Sequence, residues 1–185
     1  MTLSLSSAPC DPSRKFVQLA CLGSAMLAGC APELDWRDVR PPGTSLQAQL
    51  PCKPSTQERQ VQLADVRVRL VLLACTAAGQ TWGLATADVV EPGRVQQALA
   101  ELTRSSAANI GAQSTATVAW LAPGSTPSAA AVRQQMQGRL PDGKAVQLQM
   151  AVFAHGTRVF QASVLGEQVG AESAQAFFGA LRLKP

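Results

Sequence analysis

From residue 132 to residue 165 the chain reads as three extended runs split by two short turns, and few folds accommodate that pattern. The runs are 132–140, 144–154 and 157–165. The turns are Pro141-Asp142-Gly143 and His155-Gly156. In an extended chain successive side chains point to opposite faces. Val146, Leu148, Met150 and Val152 therefore line one face of the middle run. Short turns rich in Gly, Pro and Asp join neighbouring strands antiparallel. The expectation is a three-stranded antiparallel meander with one buried and one solvated face.

The same period recurs upstream. Val66, Val68, Leu70 and Leu72 alternate with Arg67, Arg69 and Val71, which predicts a half-buried strand. Residues 81–89 read as its hairpin partner across Gly79-Gln80. Residues 46–50 and 59–63 read as shorter strands, separated by Pro51-Cys52-Lys53-Pro54. A helix is expected from Pro92, because proline suits the first helical position. Val95, Ala98, Leu99 and Leu102 then share one face. Residues 115–121 form a further candidate strand and 123–128 a loop. A closing helix from about residue 171 carries Ala174, Phe177, Phe178 and Leu181 on one face. The fold class expected is α+β: an antiparallel sheet of about six to eight strands covered by two helices, in strand-helix-strand-helix order, over residues 44–185. This order, with the closing Phe177-Phe178-Gly179-Ala180-Leu181-Arg182-Leu183 stretch, is similar to the PsbP-like families. That resemblance implies a binding or assembly role and supplies no catalytic residue.

The amino-terminal segment is of a different kind. Arg14 and Lys15 precede an apolar run over residues 16–29, and the run ends at Cys30. A basic patch, an apolar stretch and small residues are the parts of a secretory signal. The ending Leu27-Ala28-Gly29-Cys30 resembles the lipobox of bacterial lipoproteins. The resemblance implies a signal peptide over 1–29, cleavage before Cys30 and acylation of that cysteine, with membrane lipid as the partner at Cys30. Two or three chains anchor a protein stably, where one is marginal. A spanning helix needs about 20 apolar residues, and this run is shorter. Ala31 stands where the sorting rule of enterobacterial lipoproteins places Asp for inner-membrane retention. The resemblance thus implies a cell-envelope protein on the outer membrane, facing the periplasm. Residues 30–43 hold Pro32, Pro41, Pro42 and Gly43 and read as a tether. Trp36 within it is expected to pack onto the domain.

Cysteine usage fits that address. The chain has five cysteines: Cys10, Cys21, Cys30, Cys52 and Cys75. The first two fall in the leader and the third would be lipidated. Cys52 and Cys75 remain, in a compartment that oxidises thiols, and a single structural disulfide is expected. The alternative use is a redox pair, which lacks Cys-x-x-Cys spacing.

The search for chemistry leaves little. Hydrophobic residues make up 46% and charged residues 15% of the chain, enough to bury a core. After Cys30 the basic residues number 14 against 11 acidic ones, and they are scattered singly. Nucleic-acid binding needs a dense basic footprint, so no nucleic-acid partner is expected. His155 is the only histidine, which excludes a His-rich metal site and leaves one imidazole as a candidate general base. It falls in a predicted turn, with no Gly-x-Ser-x-Gly elbow to serve. No phosphate loop or dinucleotide fingerprint occurs, so no cofactor is expected. The amides of Gln134, Gln135, Gln137, Gln147 and Gln149 are expected on the solvent face. Two readings stand: a non-catalytic envelope module that binds a protein partner or assists assembly, and a periplasmic hydrolase or thiol redox enzyme using His155 or Cys52/Cys75. A sheet edge that accepts a partner strand is a third.

Overall fold

The computed structural model describes residues 33–184, the side chain of Gln113 excepted. The expected signal peptide over 1–29, the Leu27-Ala28-Gly29-Cys30 motif and the acylation site Cys30 lie outside the described residues. Two antiparallel sheets and two helices form a mixed α+β body. In chain order the strands are β1 (Arg37–Val39), β2 (Leu46–Leu50), β3 (Ser55–Leu63), β4 (Val66–Ala77) and β5 (Gln80–Asp88). A 3-10 turn (Pro92–Arg94) leads into helix α1 (Val95–Asn109). Then follow β6 (Gln113–Ala119), β7 (Val132–Arg139), β8 (Ala145–His155), β9 (Arg158–Gly166), helix α2 (Ala171–Gly179) and β10 (Arg182–Leu183).

The large sheet has seven strands in the order β3-β4-β5-β9-β8-β7-β6. Two antiparallel meanders, β3-β4-β5 and β6-β7-β8-β9, meet where β5 pairs with β9. Helix α1 carries the chain from β5 at the middle of the sheet to β6 at its far edge. The second sheet has three strands, β1-β2-β10. The expected order fails at its close, because β10 follows α2 and joins this small sheet through Arg182 and Leu183. Short pairing of this kind is set by a contact between chain ends, which local periodicity does not encode.

Side-chain alternation sorts the core into two layers. On one face Trp82, Leu84, Phe153, Phe160 and Val164 pack with Phe177 and Phe178 of α2 and with Leu46 and Leu50 of β2. On the other face Val68, Met136, Met150, Val152 and Val159 pack with Ala98 and Leu99 of α1. The expected half-solvated meander is therefore corrected. Every residue of β8 from 148 to 154 is buried, including Gln149. Both faces are covered, one by α1 and the other by α2 with the small sheet. An alternating pattern can mark a one-sided strand or one with small residues on its second face. Here Ala151, Ala162 and the aromatics facing them fill that second face.

The tether expected over 30–43 also needs correction. Asp35 N–H donates to Pro51 O at 2.9 Å, and β1 pairs with β2 from Arg37 to Val39. Val39 is buried, and Trp36 stands edge-on to Trp82 with ring centroids 5.9 Å apart. The folded body thus begins by residue 35, and Trp36 docks as expected. Prolines at 41 and 42 terminate β1 instead of excluding a strand.

The turns show how the helix steadies the sheet. Ala64 and Asp65, between β3 and β4, both have positive φ, at 51° and 63°. Such paired left-handed residues suit the twist of a two-residue hairpin but strain non-glycine side chains. Three side chains at the start of α1 hold them. Glu101 accepts from Ala64 N–H at 2.8 Å, Arg94 donates to Ala64 O at 2.8 Å, and Gln97 donates to Asp65 at 2.8 Å. Ala64 is fully buried, so removing its acceptor strands an N–H in the core. Glu101→Ala is expected to lower unfolding free energy by about 1–3 kcal/mol, measured by urea denaturation, whereas Glu101→Gln keeps an acceptor and should lose less.

Candidate functional site

His155 is the last residue of β8 and pairs with Arg158 across the hairpin. The expected His155-Gly156 turn is shifted by one: Gly156 and Thr157 make the loop, and Gly156 has φ 59°. The imidazole is exposed, and its Nδ1 bonds the Gly124 carbonyl at 3.0 Å, which requires the proton on Nδ1. Gly124 itself has φ 80°, and a Cβ there would lie 2.4 Å from the Leu183 carbonyl oxygen, so the loop that His155 touches is pinned against β10. No carboxylate among the described residues hydrogen-bonds to this imidazole. The carboxylate that contacts the hairpin, Asp88 of β5, is already used. Asp88 accepts from Thr157 Oγ1 at 2.7 Å and from Val90 N–H at 2.9 Å, and pairs with Arg158 at 3.3 Å. Among the described residues the one hydrogen bond of the His155 ring therefore goes to a backbone carbonyl, and neither a carboxylate nor a side-chain hydroxyl is bonded to it, whereas a general base needs hydrogen-bond reach to its proton.

Asp88 carries a pH dependence instead. The Thr157 hydroxyl, the Val90 N–H and the Arg158 charge hold its pKa below the usual carboxylate value. A carboxyl whose folded pKa is depressed adds stability above its unfolded pKa and loses it as pH falls through the folded one. The melting temperature is expected to drop on acidification below about pH 4. Asp88→Asn should be less stable than wild type at pH 7 and show a smaller drop between pH 4 and pH 2.

A disulfide joins Cys52, just after β2, to Cys75 on β4, with Cα atoms 5.9 Å apart. Both residues are half-buried against the aromatic layer. Cys75 stands opposite Trp82 in the β4-β5 register, so the bridge ties the β2 end of the small sheet to β4, the second strand of the large one. Cross-linking residues 23 apart restricts the unfolded chain by roughly 3 kcal/mol. Reduction is expected to lower the denaturant midpoint by a corresponding amount without abolishing the fold, read by tryptophan fluorescence with and without dithiothreitol.

The most structured polar group lies elsewhere, on the face of the large sheet beside α2. Arg133 of β7 donates to Gln149 Oε1 of β8 and to Gln175 Oε1 of α2, each at 3.0 Å. Its guanidinium lies over the Phe178 ring, 4.3 Å from the centroid. Trp120 meets the same ring edge-on. Stacking and two amide acceptors hold the guanidinium in one place. Arg133 makes no ion pair among the described residues. Burial lowers its pKa, but an arginine keeps its charge at any physiological pH. A guanidinium has five N–H donors, so three are without a hydrogen-bond partner among the described residues. A groove of about 340 Å³ opens in front of it, lined also by Ala116 and Val118 of β6, Gln135 of β7 and Ala171 of α2.

Sequence reasoning missed this cluster. It assigned Gln149 to the solvent face, whereas Gln149 is 9% exposed and orients Arg133. One sequence signal was present: residues 105–132 hold no charged side chain, and Arg133 ends that stretch. Among the described residues, no group of three His, Cys, Asp or Glu could hold a metal ion. No described helix is long and apolar enough to cross a membrane. No protein-family model matches the chain, and no curated protein sequence matches it significantly.

Proposed function

We propose that the protein is a lipid-anchored, periplasm-facing component of the bacterial cell envelope, held to the outer membrane through Cys30, whose body binds a partner without catalysing a reaction. One observation carries the reading: the two cysteines left after the leader and Cys30 are joined as a disulfide inside the body. Disulfides persist in oxidising compartments and are rare in the cytosol of mesophiles. Beside it stand the Leu27-Ala28-Gly29-Cys30 motif and the apolar run before it. The likeness to PsbP-like families implies the same class of role. The convergent polar group at Arg133 supports a binding role, because it offers donors and a positive charge, the equipment of recognition.

The test is metabolic labelling with a clickable palmitate in bacteria expressing wild type and Cys30→Ala. Wild type is expected to take up label and to fractionate with outer membranes, and Cys30→Ala to do neither. Wild-type protein without label would refute the anchor.

A further inference from the structure

The strand that borders the Arg133 groove is an edge. β6 pairs with β7 on one side, and among the described residues nothing pairs with its other side. An edge strand leaves backbone N–H and C=O groups without partners, and proteins usually blunt such edges with charge. The opposite edge, β3, follows that rule: it carries Glu58 and Arg59, and Glu58 is paired with Arg69 of β4. β6 does not. It reads Gln-Ser-Thr-Ala-Thr-Val-Ala, and its residues from 114 to 119 are all exposed. Val118, 56% exposed, and Leu121, 49% exposed, add an apolar margin. A register shift between Ser114 and Ala116 is its only irregularity.

Register then ties the open edge to the cradle. Val118 stands opposite Arg133, and Ala116 opposite Gln135, on the same face as the groove. A strand added beside β6 would lay every second side chain over that face, since alternate residues share a face. A long acidic side chain on it would reach across Ala116 and Val118, which are short, toward the three unused donors of Arg133. A half-buried arginine without a counter-ion is electrostatically incomplete, and a carboxylate completes it with two parallel hydrogen bonds.

We propose that the open edge of β6 and the Arg133-Gln149-Gln175 cradle form one docking site for an extended peptide strand that carries a carboxylate side chain. This rests on the reading of the body as a binding module and is independent of the lipid. The occupant is a different protein and not a second copy of this chain. Self-pairing of β6 would bring residues 113–119 to Arg133, none of them acidic, and the one acid on the other edge strand, Glu58 of β3, is already paired with Arg69. The backbone of β6 supplies affinity, as in strand addition generally, and Arg133 supplies the choice of partner.

The experiment is selection of a phage-displayed random octapeptide library on the full-length protein in detergent micelles, followed by affinity measurement on synthetic peptides. The selected peptides are expected to alternate apolar and polar residues and to share Asp or Glu at one position. Replacing that residue by its amide should weaken binding about 10- to 100-fold, the range of charge-assisted hydrogen bonds. Arg133→Gln should cause the same loss and erase the preference. Val118→Glu is the second variant: at an exposed position it sets a carboxylate opposite Arg133 and fills the cradle from within, so it should also weaken binding. No enrichment, enrichment without an acidic position, or binding indifferent to both variants would overturn the proposal. So would a concentration-dependent dimer whose formation Val118→Glu prevents, because that assigns the edge to a second copy. Selection that succeeds on Cys30→Ala as on wild type keeps the site even if palmitate labelling fails, so the two readings fail separately.

Discussion

Burial of β5, β8 and β9 on both faces is the constraint on which the rest of this structure depends. A sheet buried twice requires two covers, and the chain builds them differently. One is α1, a single amphipathic helix laid across β8 and β9 through Ala98 and Leu99. The other is composite: α2 supplies Phe177 and Phe178, and the small sheet supplies Leu46, Leu50 and Leu183. Trp82 sits at the join, edge-on to both Trp36 and Phe177. Aromatic pairs in that geometry add to the burial of apolar area itself.

The composite cover explains why residues far apart in the chain are held so firmly. β1 and β10 are short strands that could not persist alone. Each pairs with β2, and β2 is buried at Leu46, Ala48 and Leu50. The Cys52–Cys75 bridge begins just after β2 and ends on β4. Cover and sheet are thereby joined covalently beside Trp82 of the aromatic layer. A disulfide placed there restrains the separation of two layers as well as the length of a loop.

The composite cover is also shorter than the sheet. α2 spans nine residues, and beyond its flank the face over β6 and β7 is left open. Arg133 lies at that margin. Phe178 beneath it belongs to the core, while Arg133 itself lines the groove. The position of Arg133 at an open margin is thus a product of where the second cover stops.

What the sequence determined by itself was local. Period-2 runs located β4, β5, β7, β8 and β9, and the i, i+3, i+4 pattern located α1 and α2, because alternation and helical periodicity are short-range consequences of backbone geometry. The cysteine count anticipated the Cys52–Cys75 bond, the pair left once Cys10, Cys21 and Cys30 are set aside. Tertiary structure decided the rest. The pairing of β5 with β9 and the joining of β10 to β2 link segments distant in the chain, and residues 37–39 become a strand only because β2 is held against the large sheet. Gln149 read as a surface amide because its type is usually exposed, yet α2 and Arg133 close over it. Arg133 itself is unremarkable in a list of charges. Its meaning comes from Phe178, Gln149 and Gln175, three side chains that meet only when the helix packs on the sheet.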